Sequence, residues 1–199
     1  MIEPNEHDAF VVKQKFSLVV NEYDIETQDG GQVAFVRQKP FAFKEELRFT
    51  PDRGSDRTLL TMKARSRFDP TATYDVKGPD GTVLGIVRKA FGASLLRSTW
   101  VLESPEGTEV ATAREKKLWV ALFRRVVGFV PYVGSFADWL PIPYDFVFFQ
   151  GEQELAHFRR RRGSLRDTYD LDLTQDAQRR LDCRLVLAVA VGLDALQAR

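Results

Sequence analysis

Cysteine is nearly absent: Cys183 is the only one in 199 residues. A single cysteine excludes an intrachain disulfide framework and any all-cysteine metal site. Histidine is almost as scarce, with only His7 and His157. Neither has a cysteine or second histidine near it in sequence, so no metal site is expected. An excess of charge of either sign is also missing, because 29 Lys and Arg stand against 28 Asp and Glu. No global field therefore draws nucleic acid, and any anion site must come from local clustering. Long apolar runs are lacking too. The longest, "LVLAVAVGL" from Leu185 to Leu193, falls short of the ~20 residues a membrane-spanning helix needs. The N-terminal "MIEPNEHDAF" has no apolar core, which argues against a secretory signal. These absences predict a soluble, cytoplasmic chain with no transmembrane span, and they leave contact with a membrane surface open.

No catalytic pattern is present either. Ser135 in "PYVGSFADW" lacks the Gly-x-Ser-x-Gly of a nucleophile elbow. The glycines of "GTVLG" and "PEGTEV" lack the lysine and serine of a phosphate loop. The expectation is a protein that is not an enzyme, with no catalytic residue, no cofactor and no metal.

What the chain does contain is one phrase written four times. The copies are "YDIETQDGGQVAFVRQK", "YDVKGPDGTVLGIVRKA", "WVLESPEGTEVATAREK" and "FVFFQGEQELAHFRRR". They align on Gly30, Gly81, Gly107 and Gly151 and on Arg37, Arg88, Arg114 and Arg159. Each reads as strand, glycine turn, strand, with the glycine supplying the positive φ of a two-residue hairpin loop. The fourth copy has one extra residue before its arginine, as a bulge or a longer turn would produce. The irregular spacing of the copies excludes a solenoid or propeller and suits one antiparallel sheet of unequal hairpins. Three positions before the arginine stand small residues, Ala34, Gly85, Ala111 and Ala156. Period-2 alternation puts this small column and the arginines on opposite faces of the sheet.

The partner for a small-residue face is at the C-terminus. A helix is predicted over about 174–197, with Asp172 or Thr174 as cap and Asp176 in the first turn. Its stretch from Leu185 to Leu193 is apolar on every side, as a helix buried in protein must be. A slim helix and a small-residue face fit together, so the sheet is expected to curve or close around it. The domain expected is a single one over 10–199, after a flexible tail at 1–9.

The hairpin phrase, its repeats and the ending "RRLDCRLVLAVAVGLDAL" resemble the LURP-one-related proteins, which belong with phospholipid scramblases and the Tubby C-terminal domain. The resemblance implies a mainly β fold: a closed antiparallel β-barrel of about twelve strands around a central buried C-terminal helix. It also implies a non-catalytic domain that binds anionic phospholipid or phosphoinositide head groups at a membrane surface. A soluble protein-interaction or scaffold domain is the alternative, and scramblase-like lipid translocation a third reading. "DLDLTQD" lacks the turn glycine and terminal glutamate of a calcium loop.

For head groups the basic candidates are Arg159, Arg160 and Arg162 in "HFRRRRGSLRD" and Lys63, Arg65 and Arg67 in "TMKARSRF". Alternation would gather members of each set on one strand face, and guanidinium suits bidentate phosphate binding. Such rows also serve to keep a solvated edge from pairing. The segment from Leu118 to Phe146 breaks the hairpin rhythm. Its Phe123, Arg124, Arg125, Phe129 and Trp139 are candidates for contact with a membrane interface or a protein partner, or for closing one end of the barrel.

Overall fold

A computed structural model gives the fold, describing residues 4–15, 20–38, 46–66, 72–90, 99–116, 145–161, 163 and 167–197. Twelve strands run in chain order: β1 (Ala9–Lys15), β2 (Glu22–Thr27), β3 (Gln32–Gln38), β4 (Glu46–Thr50), β5 (Leu60–Ala64) and β6 (Thr73–Lys77). They continue as β7 (Val83–Lys89), β8 (Thr99–Glu103), β9 (Glu109–Glu115), β10 (Asp145–Gln150), β11 (Gln153–Arg160) and β12 (Thr168–Asp172), before the helix α1 (Cys183–Gln197). Each strand pairs antiparallel with its sequence neighbours, and β12 pairs with β1 to close the barrel.

The four copies of the phrase are the hairpins β2–β3, β6–β7, β8–β9 and β10–β11. All four turn glycines have positive φ: 89° at Gly30, 84° at Gly81, 86° at Gly107 and 59° at Gly151. The first three turns are longer than the expected two residues. In the first, Thr27 donates its N–H to the Gly31 carbonyl and Gly30 donates to the Thr27 carbonyl, and the second and third repeat this pattern. Only the fourth, where Gln150 pairs with Gln153, has a two-residue loop. There the glycine comes first in the loop, and this accounts for the extra residue before Arg159. A bulge is present as well, but in every copy. The register slips at Ile25/Glu26, Val76/Lys77, Leu102/Glu103 and Phe148/Phe149.

Those bulges explain the small column. An extra residue on the second strand turns two successive side chains toward the same side. Val33 and Ala34 are both buried in the core, and so are Leu155 and Ala156. With two side chains crowding one site, the second must be small. At Gly85 the limit is strictest, because a Cβ there would lie 2.8 Å from Leu185 Cδ2 and 2.9 Å from the Glu103 carbonyl oxygen.

Twelve strands enclose more space than their own side chains fill, since eight are about the number whose side chains close a lumen. Helix α1 supplies the filling. Leu185, Val186, Leu187, Ala188, Val189, Ala190, Val191 and Leu193 are all buried. They meet inward residues such as Phe10, Ile25, Phe49, Leu102 and Phe148 in one continuous core. The helix enters at the end where the four glycine turns gather and finishes at the opposite end.

Two boundaries differ from expectation. The helix begins at Cys183 rather than near 174. Asp172 binds the N–H and hydroxyl of Thr174, and Asp176 accepts from the N–H groups of Arg180 (3.0 Å) and Leu181 (2.8 Å). These acids hold a turn instead of a helix terminus. The cap is Asp182, which accepts from the Arg184 N–H at 2.9 Å. In the expected tail, Pro4–Glu6 form a 3-10 turn. Asn5 Oδ1 accepts the Cys183 N–H at 3.2 Å, fastening that turn to the start of α1.

The far end of α1 is anchored by Asp194, which accepts hydrogen bonds from Tyr23 (2.7 Å) and Tyr169. Burial pushes the Asp194 carboxyl above its ordinary 3.8, against the downward pull of the bonds from Tyr169 and Tyr23. A carboxyl with a raised folded-state pKa is held neutral more readily in the fold than in the unfolded chain, so stability falls as pH rises above about 4 toward the folded value. Asp194→Asn, which cannot ionise, should therefore gain on the wild type between pH 4 and pH 7. Urea melts at the two pH values check this, and an equal difference at both would contradict it.

Candidate functional site

The outer face carries the arginine column and the other cations, and many of the described ones meet a carboxylate on a neighbouring strand. Lys63 Nζ lies 2.9 Å from Glu46, and Arg65 Nε lies 2.7 Å from Asp75. Arg88 pairs with Glu103 at 2.9 Å, Lys13 with Glu26 and Lys15 with Asp24 at 2.5 Å each. Cross-strand pairs of opposite charge are an ordinary means of stabilising a sheet. In these pairs, Lys63 and Arg65 serve the sheet.

The two described arginines at the end of β11 do not share a face. Arg159 stands opposite Asp145 and Asp170 on the outer side. Arg160 follows the inward parity of Ala156 and Phe158 and ends at the barrel rim, paired with Asp167. Arg161, just beyond the strand, forms a bidentate pair with Asp170 at 2.6–2.9 Å, and that hydrogen bonding raises its pKa further. Arg67, Arg162, Phe123, Arg124, Arg125, Phe129 and Trp139 lie outside the described residues.

A different group of arginines does converge. The loop from Pro51 to Thr58 folds back over the outer face of β3 and β4. It is shaped by the Thr50 hydroxyl donating to the Asp52 carbonyl (2.7 Å) and by the Gly54 N–H donating to the Asp52 side chain (2.9 Å). Between loop and sheet is a cleft of ≈ 240 Å³, lined by Phe35, Arg37, Glu46, Arg48, Arg53 and Ser55 among others. Phe35 is its floor, with the Arg37 and Arg53 guanidinium carbons 5.4 and 5.7 Å from the ring centroid. Glu22, 5% exposed, closes the back and accepts from Arg37 Nε at 3.0 Å and from Arg53. Burial pushes the Glu22 carboxyl upward, but the hydrogen bonds from Arg53 and Arg37 outweigh it and hold the group below its ordinary range.

Arg48 differs from the other two arginines of the cleft. Its Nε donates to the Thr58 hydroxyl at 2.9 Å and its Nη2 to the Asp56 main-chain carbonyl. Among the described residues no carboxylate pairs with it. It also stands directly opposite Arg37 across the β3–β4 ladder, a like-charge placement that destabilises a bare sheet.

Little in the sequence warns of this cleft. Arg37 is visible as a repeat position, but Arg48 and Arg53 lie on either side of a turn in "RFTPDRGSDR", with no alternation to join them.

A second cavity, of ≈ 350 Å³, lies at the mouth of the barrel where α1 begins, lined by Asn5, His7, Asp8, Asp176, Asp182 and Cys183. The Arg179–Asp8 pair (3.0 Å) spans its side. Burial pushes the Cys183 thiol up to about 12, so the sulfur is protonated at neutral pH and is a poor nucleophile. No group of three or more His, Cys, Asp and Glu able to hold a metal occurs among the described residues. Among them, no helix is long and apolar enough to cross a membrane.

A model of the family described as LURP-one-related matches residues 32–194. Comparison with curated proteins finds no match.

Proposed function

The chain belongs to the LURP-one-related family, and from that membership we propose that it is a non-catalytic, Tubby-like domain that binds anionic phospholipid head groups on the outside of its barrel. The observation that carries this reading is the filled lumen. With α1 buried along its length and touching the wall as closely as Leu185 approaches Gly85, a ligand has the outer face available to it. That face carries many ion pairs of its own, and the cleft where Arg37, Arg48 and Arg53 gather is a concave basic site on it.

Head-group binding of this kind depends on exposed charge. Co-sedimentation with vesicles should show binding to anionic and not to neutral lipid. Binding should fall severalfold between low and near-physiological salt, where the Debye length shortens to about 8 Å. Arg48→Glu should abolish it, while Lys63→Glu should change it little, because Lys63 is occupied by Glu46. Equal binding to neutral and anionic vesicles, or none to either, would overturn the reading and direct attention to a protein partner.

A further inference from the structure

We propose that the cleft of Arg37, Arg48 and Arg53 is a site for one phosphomonoester group, held between Arg48 and Arg37 above the Phe35 ring. The proposal rests on the head-group reading for the source of that group, but not for its chemistry.

The arrangement favours a ligand in three ways. First, Arg37 and Arg48 are directly opposed on adjacent strands, and two facing guanidiniums are stabilised by an anion placed between them. Second, Arg48 is held by neutral acceptors, the Thr58 hydroxyl and the Asp56 carbonyl. Those bonds orient the guanidinium without cancelling its charge, as a preorganised binding group requires. Third, Arg37 and Arg53 lie over an apolar floor, Phe35, which is 3% exposed. Cation–π contact with that ring helps to place the two guanidiniums, whose side chains remain 50% and 66% exposed.

Charge and the number of donors together favour the monoester. Three guanidiniums face the cleft. Glu22, kept ionised by Arg53 and Arg37, cancels one of them and leaves two. Glu46 on the rim is occupied by Lys63, and Asp56, exposed like Arg37 and Arg53, lines the cleft and offsets part of the remaining charge. A phosphomonoester carries between one and a half and two negative charges near neutral pH and three acceptor oxygens. A phosphodiester such as phosphatidylserine presents a single charge at phosphorus. The volume of ≈ 240 Å³ admits a phosphoryl group with a small polar neighbour, not an acyl chain.

Glu22 acts as the internal competitor. Incoming phosphate must draw Arg37 and Arg53 away from it, so Glu22 weakens binding and keeps the empty cleft from being a bare cluster of cations. Glu22→Gln should therefore strengthen phosphate binding, the opposite of what a merely structural role predicts.

The test compares the full chain, Arg48→Gln, Arg48→Lys and Glu22→Gln. Each is titrated calorimetrically with glycerol 3-phosphate and with the diester dimethyl phosphate. Each is then co-sedimented with vesicles of phosphatidic acid or phosphatidylserine at matched surface charge. Wild type should prefer the monoester in both formats by about tenfold or more, Arg48→Gln should lose that preference, Arg48→Lys should keep part of it, and Glu22→Gln should bind more tightly. Thermal melts establish that each variant is folded. Binding of both anionic vesicles alike, unchanged in Arg48→Gln, would overturn the site and leave the head-group reading standing. Binding of glycerol 3-phosphate without vesicle binding would support the site and overturn the lipid source. No binding in either format would overturn both.

Discussion

Val189→Asp should leave the chain without a cooperative fold. Val189 is 1% exposed in the middle of α1, surrounded by the barrel wall. The charge has no water there, and putting an unpaired ion in such a place costs several kcal/mol even after relaxation. A domain of this size holds about 5–15 kcal/mol in total. Protonating the new carboxyl lowers the cost but leaves a polar group without a partner, itself a matter of about 1–3 kcal/mol. Near-UV circular dichroism should lose its fine structure and the thermal transition should broaden or vanish. A sharp transition at the wild-type temperature would show that α1 is not in the core.

Gly85→Val should have the next largest effect. In an isolated strand the change would be favourable, because valine has the higher β propensity. Here the new Cβ would sit 2.8 Å from Leu185 Cδ2 and 2.9 Å from the Glu103 main-chain oxygen. Leu185 can turn away at modest cost, but the β8 carbonyl moves only with its strand. Overpacking of this kind costs about 1–3 kcal/mol and occasionally more, which lowers the melting temperature by about 2–4 °C per kcal/mol in a domain of this size. Shortening the opposing side chain should recover part of the loss. In a double-mutant cycle, Gly85→Val with Leu185→Ala should be less destabilised than the sum of the two single changes. Strict additivity would mean that the helix and β7 do not meet at this point.

The prominence of Gly85 in both sequence and structure shows what was legible. The period-2 alternation and the turn glycines identify four hairpins, and the small residue before each arginine identifies the wall that faces the helix. The all-round apolarity of Leu185–Leu193 identifies the helix that fills it. The start of α1 lies nine residues beyond the predicted one, at Cys183, because Asp172, Thr174 and Asp176 look like helix caps in sequence, and the same side chains serve turns equally well. Only their hydrogen bonds to Thr174, Arg180 and Leu181 decide between the two. The sequence hints at a bulge in one copy and the structure has one in all four, because a bulge is a matter of register between two strands and leaves no composition of its own.

The site was much less legible than the fold. A run such as Lys63 and Arg65, or Arg159 and Arg160, attracts notice by its local density, yet Lys63, Arg65 and Arg160 are paired with acids elsewhere in the chain. Glu46, Asp75 and Asp167 lie on other elements than the cations they neutralise. The converse holds for Arg37, Arg48 and Arg53. These sit on two strands and a loop, and they gather only because the Pro51–Thr58 loop folds back over the sheet. Density along the chain therefore pointed largely to ion pairs, and the gathering of Arg37, Arg48 and Arg53 is visible only in three dimensions.

Hydrogen exchange of the full chain, with and without phosphatidic acid vesicles, tests most directly the claim that the helix fills the barrel and the ligand binds outside it. Amides from Val186 to Leu193 should exchange only through global unfolding, as slowly with vesicles as without. Added protection should appear in peptides covering Val33–Gln38 and Thr50–Thr58. Rapid exchange along α1, or vesicle-induced change confined to it, would contradict the account.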